Sequence, residues 1–141
     1  MWRDVWQTWL SRLRPPKPLG RRGEDAAARY LRRLGYKIVA RGERDRLGEL
    51  DLVAVDRPTV VFVEVRTRTS QTAGHPVETV DAVKQRRLTR LALGYLKRHD
   101  LLEYPARFDI IAITWPPGAR HPTIEHFKNA FECVGPEGMF S

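Results

Sequence analysis

Cysteine is nearly absent from this 141-residue chain, where Cys133 stands alone. A single thiol builds neither a disulfide framework nor a thiolate metal cluster. Histidine is scarce as well: His75, His99, His121 and His126 show no HExxH spacing. No apolar run approaches the roughly 20 residues of a membrane span, so no transmembrane segment is expected. The N-terminus lacks the apolar core of a signal peptide, which makes the cytoplasm the expected location. Lysine is rare for so basic a chain: of 25 basic residues, only Lys17, Lys37, Lys84, Lys97 and Lys128 are lysines. Internal repeats and low-complexity segments are missing too.

What is present is a core and a charge. A hydrophobic content of 42% supports one compact domain. The net charge of 25 − 17 = +8 favours a polyanionic partner, most simply nucleic acid.

Trp2, Val5, Trp6, Trp9, Leu10 and Leu13 form a helical apolar stripe that the prolines of 14–18 end. This N-terminal amphipathic helix either packs on the domain or, through residues 1–13, meets a partner, a second subunit or a membrane surface. A second helix is expected over 22–34, with Ala27, Ala28, Leu31 and Leu34 inward and Gly35 as its stop. Short strands follow at 36–41, 49–55 and 60–66, with 42–48 as a loop between the first two. Residues 67–76 lack apolar periodicity and read as a mobile loop. A long helix is expected over 79–99, a strand over 107–114, and 123–132 starts as another strand. The order α-β-β-β-α-β-β implies an α/β domain with a central mixed sheet and flanking helices.

The two central strands bring charge together. A hairpin centred between Arg57 and Pro58 pairs Val55 with Val60, Val53 with Phe62 and Asp51 with Glu64. Like charges directly opposite one another are destabilising unless a cation or proton intervenes. Glu24 precedes Ala27, Ala28 and Leu31 by three, four and seven residues, so it lies on the buried stripe of its helix. Each carboxylate taken singly also fits a structural ion pair. Together they offer the oxygen ligands that Mg²⁺ or Mn²⁺ prefers, beside a basic surface. Phosphodiester hydrolysis is the reaction class that combination suggests.

The segments GRRGEDAAARYLRRLGYKIVAR, GELDLVAVD, VVFVEVRTR, VKQRRLTRLALGYL, RFDIIAI and IEHFKNAF resemble the YraN family of small bacterial proteins. The resemblance covers residues 20–132 in order. It implies a restriction-endonuclease-like three-layer fold of the PD-(D/E)xK superfamily, similar to archaeal Holliday junction resolvases. The expected division is an N-terminal helix and linker at 1–19, a nuclease-like domain at 20–135 and a tail at 136–141. By resemblance Glu24 is the helix carboxylate of the site, Asp51 and Glu64 are metal ligands, and Gln85 is a polar site residue on the following helix. A Mg²⁺-dependent, structure-selective DNA endonuclease is implied. The alternative is a non-catalytic DNA-binding module that serves a recombination or helicase partner. Resolvases act on two strands, so a homodimer is implied too.

The chain departs from the family at one position: it reads FVEVRTR where relatives usually read FVEVKTR. Arginine stays protonated and cannot act as a base. Three readings stay open. Arg66 stabilises charge at the phosphate, Lys84 enters the site from the helix, or the protein binds without cutting. Arg86, Arg87 and Arg90 fall off the apolar stripe, and with Arg68 and Lys84 they form the expected nucleic-acid surface. The absence of a base-reading motif points to recognition of backbone and shape in branched or single-stranded DNA.

Overall fold

A computed structural model describes residues 17–132. The expected N-terminal helix, the tail and Cys133 lie outside the described residues. The elements are α1 (Leu19–Arg33), β1 (Lys37–Asp45), β2 (Gly48–Asp56), β3 (Thr59–Arg68), α2 (Ala82–Arg98), β4 (Ala106–Thr114) and β5 (Thr123–Phe131). Their order is the α-β-β-β-α-β-β expected from the sequence.

One five-stranded sheet runs β1-β2-β3-β4-β5. Only β3 and β4 pair in parallel, because the long α2 crossover joins them. The other neighbours are antiparallel. Strand alternation divides the core into two layers. Val53, Val60, Phe62 and Ile110 pack with Leu88, Leu91, Ala92 and Tyr95 of α2. Leu52, Val61, Val63 and Ile111 pack with Ala27, Ala28 and Leu31 of α1. This is a three-layer α/β domain, and its two apolar layers offset the cost of charges placed at one end of the sheet. A fully buried Leu, Ile or Phe contributes about 1.5–3 kcal/mol.

Several boundaries differ from expectation. The segment 42–48 is not a loop. β1 continues to Asp45, β2 starts at Gly48, and only Arg46 and Leu47 turn between them. The polar composition of 42–48 fits an exposed edge, where backbone pairing needs no apolar side chains. Segment 67–76 is not a plain loop either, for β3 runs to Arg68 and two 3-10 turns follow, Gln71–Ala73 and Pro76–Thr79. α2 starts at Ala82 because Asp81 caps it, accepting the Lys84 N–H at 2.8 Å. α1 starts three residues early, at Leu19, and ends in a Schellman closure. There Gly35 N–H donates to Arg32 O and Tyr36 N–H to Leu31 O, with Gly35 at φ +93°. Leu34, placed on the inner stripe from its spacing, caps that helix and is 50% exposed.

Candidate active site

The β2–β3 register follows the expected pairing as far as Leu52 with Val63, including Val53 with Phe62 and Val55 with Val60. At Asp51 the backbone ladder gives way. The Asp51 carboxylate instead accepts the Val65 N–H at 2.9 Å. Leu50 belongs to the α2-side core and Leu52 to the α1-side core. Residues two apart on a regular strand share a face, so β2 turns over at Asp51. Strands β2 and β3 part at this point, and the gap between them holds the charges.

α1 brings Glu24 to this junction because Gly23 lets it approach. A Cβ at Gly23 would lie 1.9 Å from Thr67 Oγ1 on β3, so no larger residue fits without displacing the helix. Among the described residues, carboxylate oxygens of Glu24, Glu49 and Asp51 lie within 4.8 Å of one another. Glu49 was missed in the sequence reading, although its i, i+2 relation to Asp51 on one strand was a usable signal.

The electrostatics show the strain of this grouping. Burial, then the neighbouring Glu64 carboxylate, push Asp51 up to about 8, against the pull of the Val65 N–H. Burial, then Glu49, also raise Glu24 above the usual carboxylate range. Glu49 has a partial partner in Arg44, at 2.7 Å.

Glu64 is only 7% exposed. Its Oε1 meets Lys84 Nζ at 2.7 Å, whereas Arg66 Nη1 stands 3.6 Å away. Arg66 turns to the 3-10 turn ahead of α2: Nε donates to Thr79 Oγ1 at 3.1 Å and Nη2 to Thr79 O at 3.2 Å. Gln85 Nε2 donates to Val80 O at 2.9 Å, which ties the same turn to the helix. Arg68 lies at the end of β3 with Nε on Thr114 Oγ1 and Nη1 on Gly74 O. Arg86, Arg87 and Arg90 are exposed along α2.

A cavity of about 390 Å³ opens on Glu24, Asp51, Glu64, Arg66, Thr67 and Thr79. Its size lies in the range of small-molecule pockets. On the far side of Glu24 a second depression is lined by Arg21, Arg41, Arg44 and Glu49. The structure thus gathers Glu24, Asp51, Glu64, Arg66 and Arg68 around one cavity, reaches it with Lys84 only through the pair to Glu64, and commits the Gln85 amide to the α2 turn.

The model described as uncharacterised protein family UPF0102 matches residues 23–113. The chain belongs to the UPF0102 family, the YraN group. A UPF0102 protein of Rhodopirellula baltica is 50% identical over 125 residues, covering 86% of this chain and 75% of the relative. A UPF0102 protein of Geobacter sulfurreducens is 52% identical over 119 residues, covering 84% and 91%. One from Nocardia farcinica is 45% identical over 124 residues, covering 88% and 97%. The family model spans Glu24, Asp51, Glu64, Arg66 and Lys84, so the whole cluster lies within the matched region. No helix among the described residues is long and apolar enough to cross a membrane.

Proposed function

We propose that this UPF0102 chain binds nucleic acid and hydrolyses phosphodiester bonds in DNA with a divalent cation, acting on branched or single-stranded structure in the cytoplasm. The observation that carries the reading is the grouping of carboxylates at one cavity: Glu24, Asp51 and Glu64 line it with Arg66, and burial and Glu64 push Asp51 up to about 8. A carboxylate so placed calls for a proton or a cation.

The donor set fits Mg²⁺ or Mn²⁺. Glu24, Glu49 and Asp51 offer only oxygen atoms, the ligands hard cations prefer, and the shared carboxylate charge would be neutralised on binding. Glu64 lines the same cavity and would offer the cation a further oxygen beside its pair with Lys84. When bound, the cation supplies a polarised phosphodiester and a water of lowered pKa.

The chain's own side chains have separate tasks. Lys84 presents an ammonium at Glu64 that orients the attacking water and offsets charge at the phosphate. Arg66 keeps Nη1 towards the cavity while its other nitrogens hold Thr79. Arg86, Arg87 and Arg90 grip flanking phosphates, which positions the backbone without reading sequence.

The test is incubation of the purified chain with branched, single-stranded and linear DNA in Mg²⁺ or Mn²⁺, with Asp51→Ala as control. Cleavage of branched or single-stranded DNA that Asp51→Ala and EDTA abolish is expected. Salt-dependent binding that survives both, with no cleavage at high protein concentration, overturns the enzyme and leaves a binding module.

A further inference from the structure

Arg66 follows Glu64 by two residues on β3, so their side chains share the sheet face that α2 covers. A guanidinium so near a carboxylate ordinarily forms a two-toothed ion pair. Here it does not. The short contact to Glu64 comes from Lys84, and Arg66 offers Glu64 a single contact at 3.6 Å. Its Nε and Nη2 both go to Thr79, one to the hydroxyl and one to the backbone carbonyl.

Thr79 ends the Pro76–Thr79 turn, two residues before the α2 cap. Its hydroxyl donates to Pro76 O at 2.6 Å, which closes the turn on itself. Val80 is buried and its carbonyl accepts from Gln85. Asp81 then accepts the backbone N–H of Lys84 itself. The path from Arg66 to Lys84 runs by hydrogen bonds to Thr79, along the backbone through Val80 to Asp81, and by a hydrogen bond from the Lys84 N–H to Asp81. Beyond the buried Val80 and these hydrogen bonds, the first residues of α2 lack packing, since Asp81, Ala82 and Val83 are exposed.

We infer that Arg66 is a positioning residue: through its two hydrogen bonds to Thr79 it fixes the turn that leads into α2 on β3 and so sets Lys84 against Glu64. The inference rests on the proposed reading for its purpose, because Lys84 is the ammonium of that site. The chemistry of the two cations explains the division. Arginine's planar fork reaches both Thr79 acceptors at once, whereas a lysine is a single point of charge. A lysine at position 66 has no second tooth for Thr79 and is free to compete with Lys84 for Glu64.

The test reads Lys84 directly, without metal or DNA. The chain has five lysines, so Cε-labelled lysine gives few NMR signals, and that of Lys84 is assigned by its loss in Lys84→Gln. A held side chain shows two inequivalent Hε protons and a free one shows a single averaged signal. Inequivalence in the parent chain and its collapse in Arg66→Ala are expected. Arg66→Met keeps the aliphatic stem and is the variant to read if Arg66→Ala does not fold. Inequivalent Lys84 protons in the folded Arg66 variant overturn the inference, as does a single averaged signal in the parent. Where the parent cleaves DNA, Lys84→Gln and Arg66→Met should each lower kcat, and the double variant should be no slower than Lys84→Gln alone. Additive losses show independent roles and overturn it too. A parent that cleaves nothing defeats the nuclease reading, while the NMR comparison still decides the role of Arg66.

Discussion

Lys84 Nζ lies 2.7 Å from Glu64 Oε1, while the nearer nitrogen of Arg66, on the same strand as Glu64, stays 3.6 Å from that oxygen. Glu64 therefore depends on a helix residue for its charge partner. Breaking a buried pair from one side costs about 3–5 kcal/mol. Lys84 is a third exposed, so solvent screening reduces the expected loss for Lys84→Met to about 1–2 kcal/mol. Adding Glu64→Gln removes the orphaned charge and should recover most of it. Urea unfolding at neutral pH without metal measures both, and a neutral Lys84→Met would mean the bridge is not held in solution.

Asp51 contributes its own pH dependence to the stability of the protein. Folded Asp51 keeps its proton up to about pH 8, whereas an unfolded aspartate releases it near about pH 4. Between those values folding takes up a proton, so stability falls as pH rises through the window and the penalty is complete above it. Asp51→Asn retains an acceptor for the Val65 N–H and carries no charge. Its Tm should match the parent near about pH 4 and exceed it at about pH 8–9. The difference between the two proteins isolates Asp51 from the other acids. Equal melting curves at high pH would refute the strain at Asp51.

The expected fold order, the hairpin register from Asp56–Thr59 to Leu52–Val63 and the inward faces of both helices, Leu34 excepted, were readable in the sequence, because period-2 and period-3.6 patterns carry them. The edge pairing of 42–48 was not, since an exposed strand needs no apolar alternation. Nor was the turning-over of β2 at Asp51, which arises from a side chain that replaces a ladder hydrogen bond. The Arg66–Thr79 contact joins residues from different elements through a turn whose shape no periodicity encodes. Glu49 was overlooked although its spacing from Asp51 was visible.

Gly23 is the hinge between fold and site. The Cβ of Gly23→Ala would meet Thr67 Oγ1 at 1.9 Å and Thr67 Cβ at 2.9 Å, so α1 or β3 must shift. Overpacking of this kind costs about 1–3 kcal/mol. Because Glu24 is the next residue, the shift should also weaken the Mg²⁺-induced rise in Tm that the proposed site predicts. Thr67→Gly in the same chain makes room and should restore part of that response. An unchanged Mg²⁺ response in folded Gly23→Ala would separate the helix approach from cation binding.

Glu49 offers a sharper test of the donor set. Its pair with Arg44 is largely solvent-exposed, so losing it costs below about 1 kcal/mol. Glu49→Gln also relieves Glu24, whose raised pKa has Glu49 as its second cause. The metal-free Tm should therefore stay level or rise slightly. A ligand lost from the cation, however, should weaken Mg²⁺ binding roughly tenfold or more, seen as a smaller Mg²⁺-induced Tm increase and by calorimetric titration. Asp25→Asn is the control. Asp25 lies beside the same depression, tied to Lys17 and Arg41, and is outside the Glu24, Glu49 and Asp51 group. It should leave the Mg²⁺ response intact. Equal Mg²⁺ responses in Glu49→Gln and the parent would remove Glu49 from the donor set and leave Glu24, Asp51 and Glu64 as the ligands to examine.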